Sequence, residues 1–146
     1  RTLTCGACKK TATIKLLKLL FIKDNLGELI VMEEGQSIPF IMKRVFVVKG
    51  PVGAKRGKHA HRECNQIMVC LSGKCRIIYE DGVNTGEFIL DNANVGVHVP
   101  PGIWAEQIYE EENTILIVLC DLHFDESDYI RDYNEFISYR EANEKK

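Results

Sequence analysis

Two histidines, His59 and His61, stand one residue apart, just after the run of glycine and basic residues at 53–58. On a strand, side chains at i and i+2 point to the same face. The spacing therefore predicts both imidazoles on one face and Ala60 on the other. Large apolar residues flank the segment, which makes the shared face the inside of a β barrel. Two half-buried imidazoles there would titrate near neutrality, the range that general acid–base chemistry uses. The alternative is a pair exposed on an edge strand beside a basic loop; the paired spacing after a glycine turn favours chemistry. Lys55, Arg56 and Lys58 add a local positive patch. A patch that small suits one or two phosphates and no nucleic acid.

The cysteines do not extend this group into a metal centre. Cys5 and Cys8 form one C-x-x-C pair, while Cys64, Cys70, Cys75 and Cys120 are scattered through strand-like segments. A structural zinc usually takes two such pairs, or one pair with histidines at matched spacing. The scattered cysteines read as small buried hydrophobes. Cys5 and Cys8 read as part of a flexible tail over residues 1–12, ahead of a single domain over 13–146.

The elements that must position the histidines are short strands between turn signals. Apolar runs at 14–22, 28–32, 43–49, 66–71, 74–80, 87–90, 95–99, 103–109 and 114–122 are broken by glycine, proline and Asp-Gly or Ser-Gly turns. Ile14, Leu17 and Leu20 also fit a helical spacing, but the first run reads as a strand. Strands at this spacing without intervening helices predict an all-β antiparallel jelly-roll barrel. The tail differs. Ser127 reads as the cap of an amphipathic C-terminal helix over 128–142, with Ile130, Tyr133, Phe136 and Ile137 on one face.

Composition narrows the classes. The 146 residues are 45% apolar and 27% charged, with a net charge of −2, which excludes a disordered chain. No apolar run approaches the roughly 20 residues of a membrane helix; the richest, at 14–22, is broken by Lys15 and Lys18. Without a signal-peptide pattern at the N-terminus, a cytoplasmic protein with no membrane partner is the expectation.

The spacing of Gly53, His59, His61 and Gly73 resembles the first cupin motif. Pro100-Pro101-Gly102-Ile103-Trp104 resembles the start of the second, but Ala105 stands where its histidine should be. A cupin metal normally takes three histidines and a carboxylate, and two imidazoles alone make a poor site. No metal and no cofactor are therefore expected.

The run Arg56-Gly57-Lys58-His59-Ala60-His61 further resembles the R-G-x-H-A-H signature of the dTDP-4-keto-6-deoxyglucose 3,4-ketoisomerases, the WxcM-like C-terminal family. So do Gln66 to Gly73, Val99 to Trp104, and the segment Asp125-Glu126-Ser127-Asp128-Tyr129-Ile130-Arg131-Asp132-Tyr133. Asp24, Gly27, Glu33, Ile38-Pro39-Phe40 and Lys43-Arg44-Val45-Phe46 also fit, so the likeness spans about residues 13–139.

The resemblance implies a cofactor-free isomerase of deoxysugar biosynthesis. A base removes the C3 proton of a dTDP-linked 4-keto sugar, and the enediol is reprotonated at C4. It implies His59 and His61 for the proton transfers, with His61 as first choice for the C3 base. Arg56 is a candidate for the diphosphate or the enediolate oxygen, Arg44 for the diphosphate, Trp104 for the sugar pocket and Gln66 for a hydrogen bond to the sugar. Relatives often carry a tyrosine where Phe46-Val47-Val48 stands, and a histidine at Ala105. His98, Glu106 and Tyr109 are then the candidates to relay a proton. The resemblance also implies a homodimer with exchanged strands. The alternatives are a nucleotide-sugar 3,5-epimerase and a non-catalytic cupin that binds a sugar nucleotide.

Overall fold

Runs rich in β-branched and aromatic residues, each stopped by a turn, become strands. The computed structural model describes residues 13–144; the expected tail, with Cys5 and Cys8, lies outside them. The strands are β1 (Lys15–Lys18), β2 (Leu20–Asp24), β3 (Gly27–Val31), β4 (Arg44–Gly50), β5 (Lys55–His61), β6 (Gln66–Ser72), β7 (Cys75–Glu80), β8 (Thr85–Leu90), β9 (Val95–Val99), β10 (Trp104–Tyr109), β11 (Thr114–Cys120) and β12 (Tyr129–Ile130). Helix α1 (Tyr133–Glu144) follows. One sheet runs β1-β9-β6-β11-β4 and the other β12-β5-β10-β7-β8, with antiparallel pairing throughout. The two sheets enclose the core, as in a cupin-type jelly roll. No helix among the described residues is long and apolar enough to cross a membrane.

Alternation decides what each sheet offers the interior. Gln66, Met68 and Cys70 of β6 face inward, Met68 and Cys70 packing with Leu116, Val118 and Cys120 of β11 and with Ile77 and Tyr109 of the facing sheet. Ile67 and Val69 point the other way, into an outer layer with Leu19, Ile38 and Leu119. That strand is buried on both faces, so it reads as an unbroken apolar run. The expected first strand is two. Leu19 interrupts it by donating its N–H to the carbonyl of Asn94 at 2.9 Å. β1 then joins β9, while β2 pairs only with β3.

The C-terminal helix begins later than expected. Ser127 does not cap it. Its N–H and hydroxyl both donate to Asp125, at 3.0 and 2.7 Å, which closes a single 3-10 turn. The chain then adds β12 to the edge of β5, with Tyr129 opposite His61 and Ile130 opposite Ala60. An unpaired strand edge with β-forming partners outweighs the helical spacing here. Asp132 is the cap instead: the Glu135 N–H donates to its carboxylate at 2.9 Å. Ala60, Ile130 and Phe136 form a small buried cluster that seats α1 against β5.

Candidate active site

His59 and His61 share the inward face of β5, as their spacing predicts, with ring centroids 5.0 Å apart and edge to face. Ala60 is buried on the opposite face. A β-bulge precedes the pair. Ala105 of β10 faces His59, while the next residue along β10, Glu106, faces Gly57, so Lys58 is the extra residue. Gly57 and Lys58 have φ of 94° and 49°, and glycine takes such a conformation most easily.

Each imidazole has its tautomer fixed from one side. The Nδ1 of His59 lies 2.8 Å from the Gly57 carbonyl, which can only accept, so Nδ1 carries the proton and Nε2 a bare lone pair. The Nδ1 of His61 lies 2.9 Å from Oδ2 of Asp128. That carboxylate is held by the N–H groups of Glu63 at 2.7 Å and Cys64 at 3.3 Å. Nε2 of His61 is buried with no partner. Burial lowers the pKa of His59 to about 4, helped by the neighbouring His61 and opposed by the Gly57 carbonyl. Burial also lowers that of His61, against the pull of Asp128. Both rings are therefore neutral bases at pH 7.

The His59 ring lines a cavity of about 720 Å³. Arg44, Arg56, Gln66 and His59 are on its wall, as expected, joined by Lys49, Lys55, Gln107, Phe124, Tyr129 and Arg131. His61 sits behind His59, in ring contact with Tyr129 at 4.3 Å; Tyr129 also touches His59 at 4.8 Å. The Tyr129 hydroxyl accepts from Arg44 at 3.2 Å. Arg131 lies over the Tyr129 ring at 4.2 Å and is held by both carboxylate oxygens of Glu126. Arg44, Lys49, Lys55 and Arg56 have no carboxylate among the ion pairs of the described residues.

Four expected residues lie elsewhere. Trp104 packs beneath α1, its ring 5.5 Å from Tyr133 and 5.6 Å from Phe136. Glu106 shares its face of β10, while Ala105 and Gln107 turn inward. His98 is opposite Ile67 on the outer side of the other sheet, bonded to Asn65 at 2.9 Å. Tyr109 is in the core, donating to Gln107 at 3.3 Å. Asp128 and Tyr129 are not among the expected site residues, because the helical spacing of 128–142 hides the strand pairing that brings them to the histidines. Gln107 was legible from the alternation of β10.

His61, Cys64 and Asp128 bring three metal-capable atoms within 4.8 Å of one another. The group closes on itself: His61 is spent on Asp128, and the Cys64 thiol donates to the Asn65 carbonyl at 3.3 Å. His61 Nδ1, the Cys64 thiol and the Asp128 carboxylate thus have partners without an ion, and Nε2 of His61 is the atom of the set left without one.

Residues 12–141 match the family described as FdtA, WxcM-like, C-terminal. The chain belongs to this family. A TDP-4-oxo-6-deoxy-alpha-D-glucose-3,4-oxoisomerase of Aneurinibacillus thermoaerophilus is 39% identical over 86% of this chain and 91% of that protein. The crystal structure of QdtA, a sugar 3,4-ketoisomerase of Thermoanaerobacterium thermosaccharolyticum bound to TDP, superposes with a TM-score of 0.86 at 31% identity. That match covers 90% of this chain and 97% of QdtA. ChmJ, a 3'-monoepimerase of Streptomyces bikiniensis, shares the fold at a TM-score of 0.72 and 17% identity, over 80% of this chain and 67% of that one.

Proposed function

We propose that this FdtA-family chain is a 3,4-ketoisomerase of TDP-4-keto-6-deoxyglucose. The observation that carries the reading is the His59 ring: a neutral imidazole with a bare Nε2 on a cavity wall where Arg44, Lys49, Lys55 and Arg56 have no ion pair among the described residues. Arg44, Arg56, Lys49 and Lys55 supply charge for the diphosphate, the arginines in forked geometry. Phe124, more than half exposed on the cavity wall, offers a face for the thymine.

The C4 ketone acidifies the C3 proton. His59 removes it through Nε2, giving an enediolate whose charge rests on the sugar's own oxygen, and delivers it at C4. The proposed C3 base is therefore His59, where the resemblance favoured His61; the presence of His59 and not His61 among the cavity-lining residues supports this. The hydroxyl proton lost from O3 and gained at O4 is assigned to His61 with Asp128. Atoms balance without a cofactor, since one carbonyl is made as the other is lost.

A homodimer fits the surface. The β2–β3 hairpin pairs only with itself and exposes Leu20, Ile22, Leu26 and Leu29, with Leu26 93% exposed. Edge strand β4 exposes Val45 and Val47. Apolar surface of this kind marks an interface, and a second copy is the proposed occupant; equilibrium sedimentation giving a monomer would sink it. Four free, buried cysteines fit a reducing cytoplasm.

The test is incubation with TDP-4-keto-6-deoxyglucose in deuterated water, followed by proton NMR beside His59→Asn. A 3-keto product with deuterium at C4, absent in the variant, supports the reading. Exchange at C3 or C5 without that product points to an epimerase. Binding without exchange points to a non-catalytic module.

A further inference from the structure

Two carboxamides meet the cavity from opposite sheets, Gln66 from β6 and Gln107 from β10. They are 3% and 7% exposed. A buried amide N–H normally finds an oxygen. Here Gln66 Nε2 donates to the Cys120 sulfur at 3.5 Å, and Gln107 Nε2 to the Met68 sulfur at 3.8 Å. A thioether or thiol is a weak acceptor, so both donors are desolvated and nearly unused.

Gln107 is also held in orientation. Tyr109, fully buried, donates its hydroxyl to Gln107 Oε1 at 3.3 Å. This turns the amide oxygen toward the core and the NH2 toward Gly57, where an added Cβ would lie 3.3 Å from Nε2. The same Gly57 fixes His59 through its carbonyl. The amide donor and the His59 ring thus both border Gly57 on one cavity wall.

We infer that Gln107 Nε2, with Gln66 as second donor, hydrogen-bonds the sugar oxygen that becomes negative in the enediolate, and that Tyr109 positions it. The inference rests on the ketoisomerase reading. A preorganised donor in a water-poor site favours developing charge without reorganising. Replacing a sulfur by an anionic oxygen strengthens the bond as the reaction proceeds. The donor therefore acts on turnover more than on binding.

The experiment pairs Gln107→Met, similar in length but without the donor, with Tyr109→Phe. Calorimetry measures TDP and TDP-glucose, and NMR measures turnover of TDP-4-keto-6-deoxyglucose. Gln107→Met should bind TDP like the wild type, lose about tenfold in TDP-glucose affinity, and lose about a hundredfold in kcat. Tyr109→Phe should show a smaller loss of kcat with TDP affinity kept. An unchanged ratio of TDP-glucose to TDP affinity in Gln107→Met overturns the inference. If that variant no longer binds TDP, a Tyr109→Phe enzyme with wild-type kcat and affinity ratio overturns it. Should the wild type fail to turn over the keto sugar, the ketoisomerase reading falls, and the affinity ratio still decides the role of Gln107.

Discussion

Asp128 holds Nδ1 of His61 at 2.9 Å from a segment 67 residues away in sequence. The carboxylate is itself clamped by two backbone N–H groups, so the imidazole has one tautomer and one orientation. Asp128→Asn keeps the size and offers His61 a mixed donor and acceptor. It should lower kcat about a hundredfold, within the range of general acid–base catalysis, while TDP affinity stays within twofold. Calorimetry beside steady-state kinetics separates the two; an unchanged kcat would remove His61 and Asp128 from the chemistry.

The pH profile follows from His59. Its folded pKa is about 4, below the ordinary 6.5. The base is therefore unprotonated across neutral pH, and the acid limb of kcat/KM should fall with a midpoint clearly below 6.5. Stability carries the same sign. The unfolded chain binds a proton at 6.5 that the folded chain refuses until about 4, so stability is lost as pH drops through that window. Melting temperature should decrease from pH 7 to pH 5, and less steeply in His59→Asn.

Gly57→Ala strains two things together. The backbone has φ of 94°, and the new Cβ would lie 3.1 Å from the Ala105 carbonyl. A residue forced into such a conformation costs about 1–3 kcal/mol. Because the Gly57 carbonyl fixes His59, kcat should fall further than the melting point suggests. Activity measured at 15 °C, where the variant is folded, tests this.

Phe136→Ala probes the anchor of the dyad. Phe136 is fully buried against Ala60 and Ile130, and such truncations cost about 3–5 kcal/mol. The loss should loosen β12 from β5 and with it the approach of Asp128 to His61. Chemical denaturation reads the first effect, and hydrogen exchange at Ile130 the second.

How far the sequence reached depends on the range of the rule used. Period-two alternation is local, and it placed His59 and His61 on one inward face and Ala60 on the other. Turn residues are local too, and the strands fell between them. Asp128 and Tyr129 reach the site only through pairing of β12 with β5, a contact that local periodicity does not encode, so they were drawn into a helix. Trp104 and Glu106 were placed one step out of phase: they share the outward face of β10, and Gln107 beside them is the residue that enters. The hydroxyl missing at Val47 is matched in the cavity by Tyr129, the tyrosine on its wall among the described residues.

The bulge at Lys58 has a consequence for parity. Arg56 stands opposite Gln107, and His59 opposite Ala105, both inward positions of β10. His59 is three positions beyond Arg56, an odd step that regular alternation cannot span on one face. The extra residue converts odd to even, so one strand carries a phosphate-binding cation and a proton-transfer pair to the same chamber. A strand that kept Lys58 but lost the bulge, with Lys58 paired to Ala105 in regular alternation, would have its phase inverted beyond Gly57. Ala60 would then enter the chamber and both imidazoles would leave it, so one local bulge separates a catalyst from an inert barrel of nearly the same shape.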